Sequence, residues 1–145
     1  MGPVGLHTFA EYFLSAAKSV QAPDTAPTLP VVRTFLVCHS LELSLKAFLS
    51  LKGCSLLELA GGVYGHDLAS LIKEAEQQDL HALVKLENHQ RSEIISASTY
   101  YRERLLEYPS VMETLNGYAG LPDADLLIDF AEELVVALRE PCLAA

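Results

Sequence analysis

The sequence predicts an all-α fold, an up-and-down bundle of about five helices. Three observations support this prediction. Apolar residues recur at helical spacing in several stretches, no stretch of useful length alternates apolar and polar residues as a strand does, and no internal repeat is present. A chain of 145 residues, 50% of them hydrophobic, is long enough to bury the core of a single domain spanning residues 1–145.

The first two predicted helices differ in how much of their circumference is apolar. Residues from about Val4 to Val20 place their apolar side chains on one face, which predicts an amphipathic helix. A loop with two prolines, residues 21–28, separates it from the next helix. That helix, Arg33–Gly53, is apolar around most of its circumference, so we expect it at the centre of the bundle. Gly53 stands where a helix-ending C′ residue is expected.

The remaining helices are predicted from caps and periodicity. Either His66 or Asp67 occupies the N-cap position of a third helix. A long helical stretch follows from about Leu80 to Tyr108, with a break near Asn88. The last helix opens at Pro122–Asp123, because proline suits a first turn and aspartate suits an N-cap.

Charge is distributed unevenly along the chain. The net charge is −9, and the segment from Glu107 to the end holds eight acidic residues against one basic residue, Arg139. This segment therefore carries −7 of the total. A field of that sign repels phosphate backbones and argues against non-specific binding of nucleic acid.

Cysteine usage and hydropathy predict a cytoplasmic protein. The three cysteines, Cys38, Cys54 and Cys142, are odd in number and have no paired spacing, as in a reduced intracellular protein. Charged residues interrupt each apolar run before it reaches bilayer length, and the N-terminus lacks the features of a secretory signal. We therefore expect no membrane association.

A narrow polar seam interrupts the central helix. At about 100° per residue, His39, Glu42, Lys46 and Ser50 fall within about 80° of one another. One interpretation is a polar site in which His39 acts as acid or base while Glu42 and Lys46 set its charge. The other is a stripe facing water or a partner, in which Glu42 and Lys46 form an ordinary i,i+4 pair.

Two further histidine arrangements are candidates for chemistry. Arg33 and His39 form an Arg-x5-His spacing, but positions six apart differ by about 120° around a helix. The two side chains converge only if Arg33 curls back or a second subunit supplies one of them. His66 and Asp67 either cap a helix, ligate a metal as a histidine with its orienting carboxylate, or join a His39 site. No metal-binding motif is present, so we expect no metal and no cofactor.

The long helical stretch has an aromatic and cationic face. Tyr101, Arg104 and Tyr108 lie at positions i, i+3 and i+7. Such groups stack bases and bind phosphate. They are equally enriched at subunit interfaces, which is the interpretation favoured here.

Three ordered stretches resemble the HEPN (higher eukaryotes and prokaryotes nucleotide-binding) domains. The matching residues are His39-Ser-Leu-Glu42-Leu-Ser-Leu45-Lys46-Ala47-Phe-Leu with Gly53, His66-Asp67-Leu68-Ala-Ser-Leu71, and Tyr100-Tyr101 through Tyr108-Pro109. The resemblance spans roughly residues 33–109. It implies a single HEPN-like helical bundle, commonly homodimeric, often from bacterial defence, toxin–antitoxin or nucleotidyltransferase-associated systems.

The resemblance also frames two functions. The first is a binding or interaction module for a nucleotide, RNA or a cognate protein partner, with Glu42, Lys46, His66, Asp67, Tyr101 and Arg104 as binding residues. The second follows from family members that are metal-independent ribonucleases with an Arg-x4-6-His motif, which here gives Arg33 and His39 as catalytic residues across a dimer. In those members the motif lies on a late helix, whereas here it lies on the central one, so the binding module is preferred.

Overall fold

The computed structural model describes residues 2–20, 29–55, 58, 66–103, 106 and 121–145. These residues form five α-helices: α1 (Pro3–Ser19), α2 (Leu29–Leu51), α3 (Leu68–Gln77), α4 (Asn88–Arg102) and α5 (Ala124–Ala144). A short 3₁₀ turn, Leu80–Ala82, lies between α3 and α4, and the described ranges contain no strand. The prediction of an all-α bundle of about five helices is confirmed.

Helix α2 is shared by two sets of packed helices. Helices α1, α2 and α5 pack against one another, α3 and α4 pack on each other and on α2, and α4 also contacts α5. Helix α1 meets α5 through the Glu11–Arg139 and Lys18–Glu132 pairs. Helices α3 and α4 run antiparallel, because Arg91 of α4 pairs with Glu76 of α3 while Ser98, later in α4, bonds to the earlier Ala69 amide.

The central position predicted for the second helix is confirmed. Helix α2 contacts each of the other four helices, and Leu41, Leu45 and Leu49 are fully buried along it. The expectation that charged residues interrupt every apolar run before bilayer length is wrong for Val31–Leu51, which is apolar and long enough to cross a bilayer, but 67% of its most apolar part is buried inside the bundle. That burial is the pattern of a core helix, whose apolar surface is covered by protein. The cytoplasmic location stays a prediction.

Gly53 ends α2 as the sequence predicts. Its φ of 98° lies in the left-handed region, which glycine enters without a steric penalty. The Cys54 amide donates to the Leu49 carbonyl at 3.0 Å, and the Gly53 amide donates to the Ser50 carbonyl at 3.1 Å. This pair of hydrogen bonds is the Schellman motif, which satisfies two carbonyls that the helix end would otherwise leave without donors.

Aspartates begin α3 and α5. Of the two candidates for the α3 cap, Asp67 is the residue that accepts from the Ser70 amide, at 3.1 Å. At α5, the Asp123 carboxylate accepts from the Asp125 amide at 3.0 Å, as the Pro122–Asp123 signal predicts. Each carboxylate also meets the positive end of the helix dipole.

The helical stretch predicted from Leu80 to Tyr108 is divided in the structure. The 3₁₀ turn ends at Ala82, and α4 starts afresh at Asn88. Gln90 reaches back to accept from the Glu87 amide at 2.9 Å, which favours a new helix start at this point. Helix α4 ends at Arg102, and the predicted stop at Pro109 lies outside the described residues, as does the predicted loop over residues 21–28.

Candidate functional site

Five polar or aromatic side chains from three parts of the chain meet inside the bundle. Helix α2 supplies His39, Glu42 and Lys46, the residue before the α3 cap supplies His66, and α4 supplies Tyr101. We call this group the Glu42 cluster. The seam residues of α2 thus face α4 and the start of α3 within their own chain. Glu42 and Lys46 form the predicted i,i+4 pair, but they are 3% and 8% exposed, so the interpretation of the seam as a water-facing stripe is wrong at these two residues.

Glu42 is the centre of the cluster. One carboxylate oxygen, Oε2, accepts from Lys46 Nζ at 2.8 Å. The other, Oε1, accepts from His66 Nδ1 and from the Tyr101 hydroxyl, each at 2.7 Å. A buried carboxylate is costly unless charged and hydrogen-bonding partners surround it. Here three donors from three elements meet that requirement.

The Glu42 carboxyl group is ionised at neutral pH. Its burial by itself would raise its pKa, because a low-dielectric interior disfavours charge. Hydrogen bonds from Lys46 and Tyr101, with the positive charge of Lys46, more than offset burial and hold the pKa of Glu42 below its ordinary value. An ionised carboxylate accepts hydrogen bonds only, so every group bonded to Glu42 is a donor.

This bonding pattern assigns the protons on both histidines. His66 Nδ1 carries its hydrogen, because it bonds to a carboxylate that can only accept. The Tyr101 hydroxyl donates its single proton to Glu42. Towards His39 Nδ1, which lies 2.6 Å away, it therefore acts as the acceptor. A continuous hydrogen-bonded path therefore joins His39, Tyr101, Glu42 and His66. In the neutral form of each imidazole, Nε2 is the basic nitrogen.

Aromatic rings surround the inner end of this path. The Phe13 ring meets the His39 imidazole edge-on at 4.3 Å between centroids, and the Phe35 ring stacks on it at 6.0 Å. Tyr101 is 1% exposed. The His39 imidazole is consequently held between helices α1, α2 and α4 in mainly apolar surroundings.

His66 forms the outer end of the path. Its side chain is 40% exposed, in contrast to the 4% of the Glu42 side chain to which it is bonded. Its ring also packs edge-on against Tyr101, with 5.3 Å between centroids. The backbone φ of His66 is 54°, in the left-handed region, which costs a non-glycine residue about 1–2 kcal/mol. His66 is thus the member of the cluster that reaches the surface, and it is held there at an energetic cost.

Asp67 lies beside the cluster and acts mainly on the backbone. Besides capping α3, its carboxylate accepts from the Ser70 hydroxyl at 2.9 Å and from the Ser98 hydroxyl at 3.3 Å. The Arg102 guanidinium lies 3.9 Å from its second oxygen. Asp67 therefore ties the start of α3 to α4 and fixes the backbone from which His66 projects.

Arg33 is placed apart from the cluster. Its guanidinium pairs with Asp125 in the first turn of α5 at 2.5 Å, whereas His39 bonds to Tyr101 of α4. The two residues of the Arg-x5-His spacing are thus engaged with different helices, as the angular separation of their positions predicts. Arg104, predicted as a binding residue, lies outside the described residues.

Tyr101 is buried, whereas its spacing with Arg104 and Tyr108 suggests an aromatic and cationic surface. It lies in the core, and its hydroxyl completes the Glu42 cluster. The signal for this placement is present in the sequence, since Tyr101 continues the buried stripe of Ile94 and Ala97 along α4. The Tyr101 ring therefore contributes no aromatic surface for a base or a partner.

A nucleophilic cysteine and a metal site find little support among the described residues. Burial, with the nearby charge of Glu42, raises the pKa of the Cys38 thiol far above its ordinary range, which disfavours the nucleophilic thiolate. No group of three or more His, Cys, Asp or Glu side chains in this part of the chain is arranged to hold a metal ion.

No protein-family model, no curated protein and no solved structure matches this chain. What the structure defines directly is an all-α helical bundle with an internal acid–base network that ends at a surface histidine.

Proposed function

We propose that this chain is a HEPN-like helical binding module of a bacterial defence or toxin–antitoxin type, which acts as a homodimer and binds a nucleotide, RNA or a cognate protein. The observation that carries the proposal is the placement of Arg33. An arginine that stabilises a reacting phosphate needs its guanidinium directed at that phosphate. The Arg33 guanidinium is instead paired with Asp125 on α5.

The environment of His39 also favours the binding module over the ribonuclease. Its Nδ1 is bonded to Tyr101, and its ring lies between Phe13 and Phe35. A general acid or base must come within hydrogen-bond reach of the proton it transfers. For Arg33 and His39 to act together across a dimer, Arg33 would have to leave Asp125. The metal-independent ribonuclease is therefore the second candidate.

An exposed aromatic pair on α1 supports the homodimer. Phe9 and Tyr12 are 43% and 62% exposed, and their rings meet edge-on at 5.9 Å. Tyrosine and phenylalanine are enriched at the centres of subunit interfaces, where they bury large areas with few rotatable bonds. The pair lies on the face of α1 opposite to the buried residues Ala10 and Leu14.

Light scattering on the purified chain tests the homodimer. At micromolar concentration we expect twice the chain mass of 15.8 kDa. Substitution of both Phe9 and Tyr12 by serine is expected to shift the mass towards the monomer, because it removes the apolar contact area. Val136→Ser is the matched control, since Val136 is 53% exposed on α5. A wild-type monomer would contradict the homodimer.

Incubation with labelled RNA and with a fluorescent nucleotide tests the function. We expect saturable binding by fluorescence anisotropy, with the RNA intact on a denaturing gel. His39→Ala is compared with His81→Ala, a change at an exposed histidine. Cleavage that is lost only in His39→Ala would establish the ribonuclease instead. Absence of binding to RNA, to a nucleotide and to any co-purified protein would refute the binding module.

A further inference from the structure

His66 combines two properties that the other described histidines do not share. Its Nδ1 is held by a buried carboxylate, while its ring lies at the surface. His7 is buried and bonded to the Val135 carbonyl, and the partly buried His39 is bonded to the Tyr101 hydroxyl, which is not a carboxylate. His81 is more exposed, at 72%, but the nearest carboxylate, that of Asp79, lies 3.8 Å away and is itself exposed.

The hydrogen bond to Glu42 makes Nε2 the reactive atom of His66. Because Nδ1 carries the proton, the lone pair of the neutral ring is on Nε2, which has no hydrogen-bond partner among the described residues. A fixed carboxylate behind an imidazole holds the ring in one tautomer and stabilises the positive charge that develops when the other nitrogen forms a bond. The same arrangement activates the imidazole as a nucleophile.

Glu42 has two partners besides this histidine. Lys46 already supplies a positive charge to Oε2, and the Tyr101 hydroxyl already donates to Oε1. The third donor, His66, is added from a left-handed backbone position with its ring partly in water. Residues held in strained backbone conformations cluster at functional sites.

The charged groups near His66 are paired, which leaves room for an anionic substrate despite the overall negative charge of the chain. Lys46 offsets the charge of Glu42, and Arg102 lies beside Asp67. Each nearby carboxylate is thus accompanied by a cation, so an anion approaching Nε2 meets little net repulsion. A phosphoryl group is the common biological anion that an imidazole accepts covalently.

We propose that His66 is a phosphoryl-accepting residue that forms a phosphorus–nitrogen bond at Nε2. The Nε2 lone pair attacks the phosphorus of a donor that bears a good leaving group, and the leaving group departs with the electron pair of the broken bond. The Nδ1 proton stays on the ring, shared with Glu42, and the positive charge gained by the ring is balanced by that carboxylate. This activity does not depend on whether the chain also binds a nucleotide or RNA.

Phosphoramidate is the probe for this reaction, since its only product besides the phosphorylated histidine is ammonia. The full-length chain is incubated with it near neutral pH, and modified peptides are quantified over time by mass spectrometry. Phosphohistidine is recognised by its loss in acid and its persistence in base. His81 and His89 are internal controls because both are exposed histidines of the same chain.

If the proposal holds, His66 is modified at least about tenfold faster than His81 and His89, although His81 is more exposed. Reaction rates that follow exposure, with His81 ahead of His66, would overturn the proposal. This comparison uses the wild-type chain alone, so it does not depend on how any variant folds.

Two substitutions then test the role of the carboxylate. Glu42→Gln is expected to lower the rate at His66 to that of the control histidines, because the amide no longer balances the charge on the ring. Glu76→Gln is the matched control, since Glu76 pairs with Arg91 at the end of α3 opposite to His66. Circular dichroism confirms that each variant remains helical. An unchanged rate at His66 in a folded Glu42→Gln variant would show that the carboxylate does not activate the ring.

Discussion

Two of the sets of polar contacts that join the helices of this bundle differ mainly in burial. Between α1 and α5, Lys18 pairs with Glu132 and Arg139 pairs with Glu11, with all four side chains 34–54% exposed. In the Glu42 cluster, the central carboxylate is 3% exposed and has three donors. Exposed pairs contribute little because water competes for both partners, whereas buried groups must be satisfied within the protein. Loss of one partner should therefore cost far more inside the cluster than at the surface.

The largest effect is expected from Glu42→Ala. This change leaves the Lys46 ammonium buried without its counter-charge and removes the acceptor of His66 and Tyr101. Breaking a buried ion pair in this way costs about 3–5 kcal/mol. Urea unfolding followed by circular dichroism measures the change in the free energy of unfolding. A loss below about 1 kcal/mol would mean that the cluster behaves like the exposed pairs.

A double variant tests whether the loss in Glu42→Ala comes from the unpaired charge left on the buried Lys46. With Lys46→Met added to Glu42→Leu, neither charge of the pair remains in the interior. Replacing a buried pair by apolar residues is often neutral or stabilising, so we expect the double variant to exceed Glu42→Ala in stability by at least about 1 kcal/mol. Equal stability of the two variants would argue against the buried charge as the source of the loss.

Tyr101→Phe is expected to have the next largest effect. The change keeps the ring in the core but removes the hydroxyl that joins His39 to Glu42. Leaving buried polar groups without a partner costs about 1–3 kcal/mol. Urea unfolding again provides the measurement, and Tyr12→Phe, on the exposed face of α1, is the matched control. Equal effects of the two changes would contradict a structural role for the Tyr101 hydroxyl.

Acidification should weaken the protein through the same carboxylate. The pKa of Glu42 is lower in the folded chain than in the unfolded chain, so the unfolded state binds more protons in the interval between the two values. The stabilisation is complete above the unfolded pKa, about 4.3 for glutamate, and is lost as the pH falls through the folded pKa. Thermal unfolding between neutral and acidic pH measures this loss. Glu42→Gln should show a smaller decline, and an identical decline would locate the acid sensitivity elsewhere.

The smallest effect is expected at the α1–α5 contact. Glu11→Ala removes the exposed pair with Arg139, which lies at 3.1 Å. Such pairs contribute about 0–1 kcal/mol, and added salt screens them. The free energy of unfolding should therefore change within that range, and the difference from wild type should shrink in high salt. A loss as large as that of Glu42→Ala would remove the contrast between the two regions.

The fold could be predicted because its signals are local. The apolar circumference of α2 placed it at the centre, and Gly53 and Asp123 marked helix ends through their own backbone and side-chain chemistry. The division of the stretch that follows Leu80 was harder to locate. It depends on the new helix start at Asn88, with Glu87 as its N-cap. In the sequence, this start is marked only by a run of polar residues, Asn88, His89 and Gln90.

The site was only half predictable, because the residues that complete it are distant in sequence. Periodicity placed His39, Glu42 and Lys46 on one side of α2, and the structure brings them into one cluster. What covers that side is set by tertiary packing: Tyr101 lies 59 residues from Glu42, and His66 lies 24 residues away. A local pattern does not report such contacts, and a polar seam looks the same in sequence whether water or another helix faces it.

An ionised Glu42 fixes the protonation of the histidine at the surface. Nitrogen-15 chemical shifts of the imidazole, measured by long-range proton–nitrogen correlation on the folded protein, report the tautomer of His66 directly. We expect a proton on Nδ1 and none on Nε2 when the ring is neutral, with the pattern lost in Glu42→Gln. A neutral His66 with its proton on Nε2 would contradict it, because Nδ1 could not then donate to the carboxylate.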